Sequence, residues 1–379
     1  MKKFTLLIVF SIIFQFAFAQ KAARITQDKK VGYINHSGDW ILEPTYDKGG
    51  EFSNGLAPVN KDKKWGFINA KGEVVIELQF DRVKAFDSGL ALVENNKRWF
   101  YINKEGKEVD MPSSEKLFDF VDGLAYIKRG EKVGLLNPKG EIILEPKYDE
   151  IQRFHNGYAK VQVGESWGLI DKTGKEKIEP IYQGLGIWSD GIIIAKKNDV
   201  NGLLINGEFI RVDGAMKIWP FRDGEELTYA NNSEKIAGFI NRKGDWVIEP
   251  KFKKVKAFVN GLAPASTNGK LWGYINPKGE MVIPEKFRDA EIFSSNGLAP
   301  VKVNKLWGFI NKSGELVIKD KYRITGFNPF AMFSATETKG FIDGYARVSL
   351  DKKWGFIDEQ GKPLKDTWFD NAEAFVDIN

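Results

Sequence analysis

The chain has no cysteine and two histidines among 379 residues. The first absence excludes disulfides, thiolate metal sites, a cysteine nucleophile and a lipid-modified N-terminal cysteine. His36 lies in a predicted hairpin turn and His155 beside an Asn-Gly turn, so both are expected to be solvated. Neither has the spacing of a metal-ligating pair, and no nucleophile-elbow motif is present. Nor is there an excess of charge of one sign. With 56 basic and 51 acidic residues the net charge is +5, without the concentrated positive field that nucleic-acid binding needs.

Long apolar runs are also missing, save one at the N-terminus. Lys2 and Lys3 precede an apolar stretch from Phe4 to Phe18, and Ala17-Phe18-Ala19 presents small residues at a signal-peptidase site. Residues 1–19 therefore read as a signal peptide, with Gln20 as the mature terminus of residues 20–379. A run this short falls below the roughly 18 residues needed to span a bilayer. A secreted or periplasmic protein without stable membrane insertion is expected.

What the chain does have is glycine (38), phenylalanine (28) and tryptophan (11), arranged periodically. From Trp65 the order is Trp65-Gly66-Phe67-Ile68-Asn69, Gly72, Val74-Val75-Ile76, Phe80-Asp81, Phe86 and Ser88-Gly89-Leu90-Ala91. The place of Gly66 recurs at Gly32, Phe100, Gly134, Gly168, Gly202, Gly238, Gly273, Gly308 and Gly355. A second marker, the aromatic of Phe52, Phe86, Phe120, Phe154 and Trp188, keeps the same phase. About ten copies of a unit of roughly 34 residues follow.

A period of 34 is shared with a helical-hairpin repeat, but the local chemistry excludes helices. All units but the sixth, which shortens it to Asn206-Gly207, carry an Asx-x-x-Gly turn, as in Asn69 to Gly72, and all but the truncated last one carry a second glycine turn, as in Asn54-Gly55. Two such turns per unit leave no room for a helix. The remaining segments read as three strands. The Trp-Gly strand is apolar on both faces, as Phe67 and Ile68 show, so neighbours must cover both. Its glycine fits a place where another chain comes too close for a Cβ.

The expected fold is all-β, a tandem array of about ten three-stranded antiparallel units. An open solenoid-like array is favoured because ten blades would be large for a ring and the later spacings are irregular. The alternative is a closed, propeller-like ring. It draws on the ends of the chain: Ala22 to Lys30 resemble a third strand with no unit before it, and the C-terminus stops just before its own. Two irregularities stand out, a degenerate unit at 201–236 and an insertion at 326–339.

The motifs W-G-F-I-N, G-x-x-V-I-x-P-x-Y-D and G-L-A-x-V resemble those of the WG-repeat family of bacterial proteins. The dipeptide is matched at Trp65-Gly66, Trp167-Gly168, Trp272-Gly273, Trp307-Gly308 and Trp354-Gly355, and departs at Val31, Trp99-Phe100, Val133, Asn201 and Ala237. The resemblance implies a β-rich interaction array and brings no catalytic residues.

No catalytic residue, metal site or cofactor is expected. Carboxylates such as Glu43, Asp47, Asp81, Glu145, Asp149 and Glu249 recur at repeat positions, whereas an active site appears once. Asp47, Asp81, Asp149 and Asp370 are expected to bond turn amides. The repeat tryptophans either fill gaps between units or stack on sugars, packing being preferred. Phe327, Phe330, Met332 and Phe333 in the insertion form the candidate partner site, or else a lid over one end of the array. The expected function is a non-catalytic scaffold for a protein or envelope component. A carbohydrate-binding protein comes second and a glycoside hydrolase is a remote third.

Overall fold

The computed structural model describes residues 21–324 and 339–378. The insertion residues Phe327, Phe330, Met332 and Phe333, and residues 1–19, read above as a signal peptide, lie outside them.

Ten small antiparallel sheets succeed one another as blades of a closed ring, a ten-bladed β-propeller. The favoured open array is thereby corrected to the alternative. The strand Lys21–Gln27 opens the first blade, and its free edge pairs with the last strands of the chain. Ile25 faces Ala372 and Ala22 faces Val376. Closure satisfies backbone groups that an open array would leave as a sticky edge. Among the described residues the irregular late spacings do not disturb the ring because they fall in surface connections. Blade 8, for example, joins Ala263–Ser266 to Trp272–Ile275 through a five-residue link where blade 2 uses the two-residue turn Asp62-Lys63.

The three-stranded unit also needs correction. Most blades have four strands, because a two-residue strand precedes the three expected ones: Lys48–Gly49, Arg82–Val83 and Glu150–Ile151 are examples. Two residues are too few for any periodic signal. In blade 2 the order is Lys48–Gly49, Leu56–Lys61, Lys64–Asn69 and Val74–Phe80. Blades 4 and 10 do have three strands. The degenerate unit still forms regular sheet: Val200–Ile205 and Glu208–Arg211 pair in unbroken register across Asn206-Gly207.

The repeat glycine has a definite steric cause. Between Trp65 and Phe67 the partner strand runs from Phe80 back to Ile76, two extra residues that form a bulge. A Cβ on Gly66 would lie 2.4 Å from the Ile76 carbonyl oxygen, and one on Gly308 would lie 2.5 Å from that of Ile318. Phe100 is tolerated in blade 3 because the partner strand there is only Glu108–Val109, with no bulge to strike.

Phe67 and Ile68 are both fully buried, one in each of two neighbouring clusters. Each blade therefore shares a core with the next, the coverage that a strand apolar on both faces demands. The Asx turns behave as expected: Asn69 Oδ1 accepts the amides of Lys71 and Glu73 at 2.9 and 3.1 Å, and Gly72 adopts φ +80°.

Candidate functional site: the axial wall

The glycine turns between the first and second strands are bonded from blade to blade. Gly89 N–H donates to Asn54 Oδ1 at 2.9 Å, Gly123 N–H to Ser88 Oγ at 2.8 Å, and Gly224 N–H to Asp190 Oδ2 at 3.2 Å. The chain of contacts crosses the seam, where Gly55 N–H donates to the Ile378 carbonyl at 2.7 Å. The two-residue strands leading into these turns form the inner wall.

Along that wall the aromatic residue is constant and the residue two places before it is not. Gly50, Lys84, Phe118, Gln152, Gly186, Trp219, Lys256, Glu291 and Lys339 occupy this place in blades 2 to 10, and Glu373 occupies it at the seam in blade 1. Two notches open there. One, of about 520 Å³, lies between blades 2 and 3 and is lined by Arg24, Gly50, Glu51, Pro58, Trp65 and Lys84 among others. The second, of about 220 Å³, lies between blades 4 and 5 and is lined by Phe118, Asp119, Val121, Leu124, Tyr126, Arg153 and Phe154.

Two blades place a carboxylate at the axial position, Glu291 in blade 9 and Glu373 at the seam, where it pairs with Arg24 at 3.5 Å and Arg347 at 3.7 Å. Glu291 is buried, accepts Lys256 Nζ at 2.8 Å and Lys339 Nζ at 3.1 Å, and its carbonyl takes the Tyr274 phenol at 2.8 Å. Lys339 is the last residue of the insertion and the one described, so this ion triad ties the end of the insertion to blade 9. Burial pushes the Tyr274 phenol well above its ordinary pKa.

The recurrent carboxylates do what their recurrence suggested. Asp81 accepts Lys64 Nζ at 2.6 Å from the blade before and Asn96 N–H at 2.8 Å from the hairpin of the blade after. Asp47 and Asp149 repeat the clasp, and Asp370 closes the seam by joining Lys353 to the Asp28 amide. The lysine, and then the turn amide, hold these carboxyls below the usual range. Glu43, Glu145 and Glu249 stand exposed on the outer strands.

The tryptophans pack between blades. Trp272 and Trp307 are buried, and Trp65, Trp167 and Trp354 are half-buried against neighbouring cores. Lys160, Lys256 and Arg347 sit over the rings of Trp167, Trp272 and Trp354. His155 is exposed, as expected. His36 is not simply solvated: it lies edge-on to Tyr345 and Phe375 across the seam, and its Nε2 is 3.0 Å from the Asp343 carbonyl.

The model of the WG containing repeat matches residues 32–65, 65–99, 99–132, 134–166, 167–200, 238–270, 272–307 and 307–322. The chain belongs to the WG-repeat family. The unmatched stretch between 200 and 238 contains the shortened turn Asn206-Gly207, and the WG dipeptide of blade 10 also falls outside the matches. No curated protein matches this WG-repeat chain. Among solved structures, a eukaryotic initiation factor is 10% identical, with 94% of this chain and 97% of that one covered, at a TM-score of 0.44. BamB from Moraxella catarrhalis is 12% identical over 68% and 88%, at 0.30. PorZ from Porphyromonas gingivalis, a surface component of the type-IX secretion system, is 8% identical over 91% and 58%, at 0.24. Scores this low carry no functional inference. Among the described residues no helix is long and apolar enough to cross a membrane.

Proposed function

We propose that this WG-repeat propeller is an exported, non-catalytic scaffold that binds a protein or envelope component through its axial wall. One observation carries the reading: the positions that pack blades together keep one chemistry round the ring, and the axial position changes it from blade to blade. That place is glycine at Gly50 and Gly186, lysine at Lys84, Lys256 and Lys339, acid at Glu291 and Glu373, aromatic at Phe118 and Trp219, and amide at Gln152. A ring of near-identical units can be specific only where its units differ, and here the differences converge on one surface. Export rests on the N-terminal sequence. Phe327, Phe330, Met332 and Phe333 remain a second contact in this proposal, reached through the Lys339–Glu291 anchor.

Photo-crosslinking in the producing cell tests it. A photoreactive residue at Lys84, Gln152 or Lys256 is expected to give one common adduct, and the same residue at the outer-strand positions Val75 or Val282 none. Adducts from the outer positions alone, or from neither set, would sink the axial assignment.

A carbohydrate ligand keeps support at one place only. In the notch of about 520 Å³, Trp65 and Pro58 lie beside Glu51 and Lys84, an apolar platform flanked by polar groups that suits a sugar ring.

A further inference from the structure

The second notch has a different chemistry. Its body is apolar: Phe118, Val121, Leu124, Tyr126 and Phe154 enclose about 220 Å³, below the roughly 300 Å³ at which drug-sized ligands begin. That is room for one large side chain. Phe118 and Tyr126 meet at right angles, 89° between planes with centroids 5.5 Å apart, and form a fixed corner.

Two opposite charges complete the lining, Asp119 and Arg153, both exposed. Neither forms an ion pair with the other or with any described residue. Arginines elsewhere on the inner wall are engaged: Arg24 reaches the Gly49 carbonyl and, at 3.5 Å, Glu373. The Tyr126 phenol likewise has no hydrogen-bond partner among the described residues. Burial pushes its pKa up, and the nearby Arg153 guanidinium pulls the other way. A carboxylate, a guanidinium and a phenol therefore border an apolar pocket without satisfying one another.

We infer that the notch between blades 4 and 5 binds a free apolar α-amino acid of the size of leucine or phenylalanine. The side chain fills the corner made by Phe118, Tyr126 and Phe154. Arg153 and the Tyr126 hydroxyl take the carboxylate, and Asp119 takes the ammonium. An apolar acid alone would leave Asp119 facing a like charge, and an apolar amine would leave Arg153 in the same position. Only a ligand bearing both charges answers both groups.

This deepens the binding role proposed above by naming a small ligand for one segment of the same wall. The test is calorimetric titration of the mature protein with L-leucine, L-phenylalanine, N-acetyl-L-phenylalanine and L-phenylalanine amide. The free amino acids are expected to bind, and each half-neutralised analogue to bind about tenfold more weakly. Arg153→Met should erase the preference for acid over amide, and Asp119→Asn the preference for free amine over N-acetyl. Both residues are exposed, so melting temperature should not change. No binding of either amino acid at about 10 mM, or equal binding of the neutral analogues, would overturn the assignment. Axial crosslinks that persist after such a failure would leave the scaffold role intact.

Discussion

The ring is built in two ways. From the seam through blade 6, most junctions are held by a side-chain clasp: Asp370, Asp47, Asp81 and Asp149 each bind a lysine behind and a hairpin amide ahead. Glu115 and Gln183 take the amide alone at two others, at 2.6 and 2.7 Å. At the junctions after blades 7, 8 and 9 the same place is Lys253, Arg288 and Arg323, and no carboxylate clasp forms. The main-chain bond survives there: Lys253 N–H still reaches the Ser266 carbonyl at 2.8 Å, as Asp47 N–H reaches that of Asn60. The hairpins of blades 8 and 9 are longer, and Val303 from one of them packs on the cluster that holds Trp272. Trp272 and Trp307 are buried at 8% and 7% exposure, while Trp65 and Trp167 on the clasped arc stay half-open. Backbone pairing is thus common to both arcs. One supplements it with outer aspartate clasps, the other with covered aromatic surface and the ion triad of Glu291 on the inner wall.

The largest test concerns the seam, where the clasp coincides with closure. Ending the chain at Thr367 removes Asp370 and both strands that pair with Lys21–Gln27. The melting temperature should fall by more than about 10 °C and the radius of gyration should rise. A ring that melts normally without these residues would show that the seam is a convenience.

The next test separates the arcs. Trp272→Ala should cost about 3–5 kcal/mol in urea unfolding, and Trp65→Ala about half as much, because less of its ring is buried. Equal losses would erase the distinction.

The smallest effect is the pH response of the clasp. Asp47, Asp81 and Asp149 have carboxyl pKa values lowered in the folded state, so their contribution is complete above about pH 4 and fades as pH falls below it. Replacing all three with Asn should flatten the acid limb of a melting-temperature profile. Arg288→Ala, in the other arc, should leave that limb unchanged.

Much of this could be read beforehand. The 35- and 36-residue spacings after Gly202 already marked the arc with longer hairpins, although their meaning was misjudged as evidence against a ring. The Asx turns, the shared cores on both faces of the Trp-Gly strand and the turn-bonding aspartates follow from local chemistry and recurrence. The two-residue inner strands did not, since a pair of residues has no period. Glu291 stayed hidden for the opposite reason: it breaks a pattern, and in one sequence a break resembles drift. The Asp119–Tyr126–Arg153 notch brings together residues up to 34 positions apart, on neighbouring blades.

By itself, then, the sequence determined most of the unit: its three longer strands, its turns, the glycine that lies against a bulge, and the number of copies. Those are decided within about 34 residues, where spacing and conformational preference act directly. Tertiary structure decided whether the row closed and what its axial wall presents. Closure turns on whether Lys21–Gln27 meets Asn371–Ala372 some 340 residues later, a matter of accumulated pitch between blades that no single unit encodes.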